Sequence, residues 1–173
     1  MLDNFNEIKF KFKYQGERGL PENYPTPNVK DQLFYIQRNH NSNSIIYALN
    51  KDEKGIINSE FPIEVFWLRY GADSGKRQLN KIQRMLAFGY KSWKINTDTY
   101  KFNIVSKQNQ EFILSLDDNG QYQVVTMLEN QMIKVSNIYV YAEEFGVFPQ
   151  VKYIEFYGQR ISDNFPTYYK EIL

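Results

Sequence analysis

The chain has 173 residues, no cysteine, one histidine, and 21 basic against 20 acidic residues, for a formal net charge of +1. Without cysteine there can be no disulfide, thiolate zinc site, Fe–S cluster or cysteine nucleophile, and one histidine excludes a two-histidine metal centre within one chain. A Ser–His–acid triad could use only His40 as its base, and the even charge balance argues against a dedicated nucleic-acid protein, whose domain is usually strongly basic.

A chain of this length is expected to form one core-bearing domain, burying roughly 70% of its unfolded surface without a metal or disulfide staple. Two Trp, 14 Tyr and 13 Phe supply much of the apolar content. Many of them alternate with polar residues, which is the period of a half-buried strand.

The first strong segment is Ile8–Tyr14, with Ile8, Phe10, Phe12 and Tyr14 on one face and three lysines on the other. It reads as an edge strand, since lysines discourage edge-to-edge pairing. Gly16 to Pro27 holds Pro21, Pro25 and Pro27 and reads as an irregular connector. Residues 1–32 are therefore expected to be an N-terminal arm, and 33–173 a single β-rich domain.

Leu33–Arg38 and Ile45–Leu49 read as a hairpin joined by six polar residues, Asn39–Ser44. Lys51–Ser59 is a loop. Ile63–Tyr70 is apolar on both faces, as a central or doubly covered strand would be. Gly71–Gly75 breaks the pattern, with Asp73 or Ser74 as a helix N-cap. Lys76–Phe88 then carries Leu79, Ile82 and Leu86 at helical spacing, with Met85 and Phe88 beside them, and Gly89 is placed to end the helix in a left-handed conformation.

After the helix the period returns to two. Tyr90–Ile95 and Tyr100–Val105 are strands. Phe112 to Tyr141 reads as a three-stranded meander whose first turn, at Asn119-Gly120, is of type I′. Glu143–Pro149 is a loop with two exposed phenylalanines, Val151–Tyr157 a last long strand, and the tail holds Pro166, Tyr168 and Tyr169. Together these predict a mainly β fold: an antiparallel β-sandwich or barrel of about eight to ten strands with one α-helix at about 76–88. Alternating βα units are absent, which argues against Rossmann and TIM architectures.

No window carries the long uncharged run of a membrane helix, and the N-terminus lacks the basic start and apolar core of a secretory signal. The chain reads as soluble and cytoplasmic, or as exported if a signal has been removed.

The motifs Leu33-Phe34-Tyr35-Ile36-Gln37-Arg38-Asn39, Asn41, Asn43, Ile45-Ile46-Tyr47 and Val65-Phe66-Trp67-Leu68-Arg69-Tyr70 follow one another in order. So do Ile82-Gln83-Arg84, Ala87-Phe88-Gly89, Ile138 to Glu144, and Val151 to Gly158. In these the chain resembles a bacterial family catalogued only as a domain of unknown function, from about Leu33 to the C-terminus. The resemblance implies no activity. It implies that some members carry an export signal.

Several residues are candidates for a site. Arg38, Asn39, His40, Asn41 and Asn43 offer donors, acceptors and one titratable ring; the plain alternative is a surface turn. Arg38 and Arg69 could clamp a carboxylate or phosphate if they converge; otherwise each pairs with an acid such as Glu64 or Glu155. Phe145 and Phe148, flanking Gly146-Val147, are candidates for an exposed apolar contact with a partner. Asp117–Gly120 holds too few oxygens for Ca²⁺, and Glu143 and Glu144 point to opposite faces of an extended strand. Lys76, Arg77, Lys81, Arg84, Lys91 and Lys94 make a locally basic region around the helix. No metal or cofactor is expected.

The leading expectation is a non-enzymatic domain that binds a protein or glycan partner through loops at one end. The alternatives are an enzyme built on carboxylates and His40, and nucleic-acid binding through the basic region.

Overall fold

The computed structural model describes residues 18–173, so the alternating segment Ile8–Tyr14 lies outside the described residues. Among them, eleven strands form one sheet. The first five are β1 Gln32–Arg38, β2 Asn41–Leu49, β3 Ile63–Arg69, β4 Gly75–Gln78 and β5 Tyr90–Asn96. The others are β6 Thr99–Ile104, β7 Phe112–Leu116, β8 Tyr122–Leu128, β9 Gln131–Phe145, β10 Phe148–Arg160 and β11 Pro166–Ile172. One helix, α1, lies between β4 and β5, with a regular turn at Lys81–Gln83 and a wider π-turn at Arg84–Phe88.

Strand β9 organises the sheet. Its 15 residues let one edge pair twice: Gln131–Lys134 with β8 antiparallel, then Asn137–Val140 with β1 parallel. Its other edge pairs with β10, which carries β11. Two wings therefore leave the same edge of β9, namely β1-β2-β3-β4 and β8-β7-β6-β5. Strand twist and the register shifts between β9 and β10 curl the sheet into a half-barrel. The mainly β fold with one helix is what the alternating aromatics predict; the mixed character comes from the β1–β9 pairing.

The inner faces supply the core. Phe34 on β1 stacks on Tyr47 of β2 at 4.4 Å and meets Phe112 of the other wing at 6.0 Å. Phe102 and Phe112 stack at 5.2 Å. Offset ring pairs of this kind add about 0.5–1.5 kcal/mol each beyond the area they bury. Strand β4 covers β3 only from Phe66 to Arg69. Beyond it, Ile63 donates its N–H to the Tyr90 hydroxyl at 3.0 Å, and that hydroxyl donates to the Ile63 carbonyl at 2.6 Å. One side chain of β5 thereby ties the two wings together.

The outer face of β1–β3 carries a smaller cluster, Tyr35, Ile46, Ala48 and Phe66, with Val29 of the connector against it. The buried Gln37 on that face donates to the Pro25 carbonyl at 2.8 Å and to Ser44 Oγ at 2.9 Å. The proline-rich segment thus satisfies polar groups that a bare sheet would leave unpaired.

The structure corrects several local expectations. The helix does not begin at Asp73 or Ser74, because Gly75–Gln78 pairs with β3. Asn80 is the cap: its Oδ1 accepts the Gln83 N–H at 2.8 Å, while Gln83 Oε1 accepts the Asn80 N–H at 2.9 Å. Gly89 does not stop the helix in a left-handed conformation; its backbone is extended, and a side chain there would run into the Arg84 carbonyl. The six-residue polar turn shrinks to Asn39-His40, since β2 starts at Asn41. At Asn119-Gly120 only the glycine has positive φ; the pair with both φ positive is Glu129-Asn130. Glu143–Pro149 is not a loop but the end of a long β9–β10 hairpin that turns at Gly146-Val147.

Candidate functional site

The half-barrel is open at the end where β1 finishes and the β9–β10 hairpin projects. A pocket of about 280 Å³ enters the core there. Its walls are Ile36 of β1, Ile138 and Val140 of β9, Val151, Ile154 and Phe156 of β10, and Phe112 of β7. Leu86, Ala87 and Phe88, from the last turn of α1, form the facing side. The walls are apolar because each strand turns its core-facing positions inward.

Three polar side chains line the pocket: Arg38, Ser106 and Lys107. Two of them are engaged elsewhere. Ser106 Oγ donates to the Ala87 carbonyl at 2.6 Å, and Lys107 Nζ pairs with Glu171 at 2.9 Å. Arg38 is exposed and lies over the Trp67 ring at 5.8 Å. Among the described residues no carboxylate stands within ion-pair distance of it. No carboxylate and no histidine lines this pocket.

A second, shallower pocket of about 510 Å³ adjoins it and shares Arg38, Ala142 and Pro149. Here the structure gathers several sequence candidates: Arg38, Asn39, His40, Asn41 and Phe148 all line it, with Glu144 and Val147. Their duties differ. Asn39 is held by the sheet, donating to the Ala142 carbonyl at 2.7 Å and accepting the Ala142 N–H at 3.0 Å. His40 is exposed in the turn with φ of 61°. Phe148 is 75% exposed and Val147 90%.

The other candidates lie apart from this lining. Asn43 Oδ1 accepts the Tyr70 N–H at 3.1 Å, and Arg69 turns to Asp73 at 3.5 Å. The side chain of Phe145 lies outside the described residues. Lys76 pairs with Glu64 and Arg77 with Asp73, so part of the basic region is neutralised in place. Asp117 Oδ1 accepts the N–H groups of Asn119 and Gln121, a turn-forming role. Glu143 faces Lys152 at 3.8 Å. Among the described residues no group of three or more His, Asp or Glu side chains could hold a metal ion, and no helix is long and apolar enough to cross a membrane.

Sequence reading missed one polar centre, Glu155 on the outer face of β10. It is fully buried. Its carboxylate accepts the Gly19 N–H at 2.9 and 3.0 Å and the Leu20 N–H at 3.1 Å. It also accepts the hydroxyls of Tyr157 at 3.1 Å and Tyr168 at 2.7 Å. Burial, reinforced by this carboxylate, pushes both tyrosines well above the ordinary tyrosine range, so both remain neutral donors. With its oxygens occupied and sealed from solvent, Glu155 fastens the connector to the sheet and has no lone pair to offer a substrate. The signal for it was a lone acid within the apolar and aromatic run Tyr153–Tyr157.

The sequence model of the domain of unknown function DUF4833 matches residues 34–170. The chain belongs to that family. No curated protein and no solved structure matches it.

Proposed function

We propose that this member of a domain family of unknown function is a non-enzymatic binding module that takes a small apolar ligand into the open end of its half-barrel. The observation that carries the reading is the pocket of about 280 Å³, entered from solvent and walled by aliphatic and aromatic side chains. Ligand pockets are concave, mostly apolar, and furnished with a few polar groups that fix orientation. This pocket has that character and lacks the acid–base pair that a reaction centre would need. The reading keeps the binding role expected from the sequence and replaces a glycan or protein partner by a molecule small enough to enter the core.

Ala142 lines both pockets and is only half-buried, so a larger side chain can be placed there without crowding the core. An uncharged naphthylamine dye should bind the full chain saturably with one site. Ala142→Trp should weaken that binding by about tenfold or more, equivalent to about 1.4 kcal/mol, with the unfolding midpoint little changed. Dye binding that is unsaturable, or indifferent to Ala142→Trp, contradicts the proposal.

A second reading has its own support. Ile82, Met85 and Leu86 on α1, and Val147 and Phe148 on the hairpin, are exposed apolar residues. Exposed apolar residues of this sort mark interaction sites, so a protein could cover the mouth. Concentration-dependent self-association, or a partner that displaces the dye, would favour this reading.

A further inference from the structure

We infer that the ligand of this pocket is a single-chain amphiphile whose anionic head follows directly on its tail and sits on Arg38. This rests on the ligand-binding reading above and names the chemistry of the ligand.

The size sets the tail. A pocket of about 280 Å³ with apolar walls has room for a medium-length alkyl chain, and a ten-carbon tail serves as the probe.

The cation sets the head. Arg38 lines both the deep apolar pocket and the shallow polar one. A group lying against it is therefore the one that joins tail to exterior. Its guanidinium is steadied over the Trp67 ring, which leaves the donor fork to carboxylate or phosphate oxygens. Lys107, the other cation on the deep pocket, is already neutralised by Glu171. Glu144 lines the shallow pocket but not the deep one, and no ion pair joins it to Arg38.

The surroundings set the orientation. The shallow pocket mixes Asn39, His40 and Asn41 with Phe148, and suits a hydrated head rather than more tail. A neutral tail of the same length gains only the apolar walls, whereas an anion adds a charge-assisted hydrogen bond.

The test displaces the uncharged dye from the full chain with decanoate, decyl phosphate, decanol and decylamine. Decanoate or decyl phosphate should compete about tenfold better than decanol, and decylamine worse than decanol. The tighter of the two anions identifies the head as carboxylate or phosphate. Arg38→Gln should remove the anion's advantage over decanol, both measured in that same variant, and Arg38→Lys should restore part of it. Equal displacement by anion and alcohol, or an anion preference that survives Arg38→Gln, overturns the assignment and leaves the pocket reading standing. Failure of the dye itself to bind overturns both.

Discussion

Glu155 shows how much one side chain can decide in this molecule. A carboxylate removed from water costs several kcal/mol unless its oxygens are occupied, and here two backbone amides and two tyrosine hydroxyls occupy them. The same bonds hold residues 19 and 20 against β10, and a side chain on Gly19 would strike Tyr153 and Tyr139. Glu155→Ala should therefore destabilise the fold by about 3–5 kcal/mol, because it orphans buried donors as well as losing an anchor. Urea unfolding measures this. A loss below about 1 kcal/mol would mean that the connector is not held by this carboxylate. At this scale the sequence was partly legible. Arg38, Asn39, His40 and Asn41 stood out because amides, an arginine and the one histidine cluster in a turn. Their proximity to Phe148 was invisible, since more than a hundred residues of chain separate them and only the β1–β9 pairing brings them together. Glu155 was read only as an acid that an arginine across the sheet could pair with, because nothing in the local pattern shows that Gly19, Leu20, Tyr157 and Tyr168 converge on it.

Helix α1 is the element where periodicity misled. Its spacing of Leu79, Ile82, Met85 and Leu86 predicts a buried stripe, yet Ile82 is 69% exposed, Met85 61% and Leu86 68%. The reason is length: the first four residues of the expected helix are taken by β4 and Leu79, and the remaining two turns widen into a π-turn that rolls the stripe outward. What anchors the element is Leu79 just before it, and Phe88 at its end, whose ring meets Trp67 edge-on at 5.7 Å and whose carbonyl accepts the Tyr47 hydroxyl at 2.7 Å. Leu79→Ala should cost about 2–5 kcal/mol, while Met85→Ser should stay within about 0.5 kcal/mol. Comparable losses in thermal unfolding of the two variants would show that the stripe is buried after all. The strands were far more legible than the helix. Their inward faces follow from alternation alone, and the meander β7–β8–β9 runs in the expected order although the turn at Asn119-Gly120 is not of the expected type. The parallel pairing of β1 with β9 was not legible, because period-two alternation says which face is buried and nothing about which distant strand lies alongside.

The whole molecule follows from one long strand that serves two wings. Because β8 and β1 take successive stretches of the same edge of β9, the sheet does not close as a regular barrel, and the wings meet through a shared apolar core, aromatic stacking and the Tyr90 hydroxyl. The gap left at one end is spanned by α1 and becomes the pocket. No local pattern encodes such a gap; it is a property of how the wings diverge. Composition could exclude cysteine and two-histidine chemistry, and it could point to binding rather than catalysis, but it could not reveal an entrance to the core. The central claim is that this entrance admits a ligand. Methyl-resolved NMR during titration with decanoate tests it most directly. Ile36, Ile138, Val140 and Ile154, which wall the pocket, should shift together and saturate, while Ile46 in the outer cluster stays in place. Shifts confined to surface methyls such as Ile82 and Val147, with the four wall residues unmoved, would contradict it.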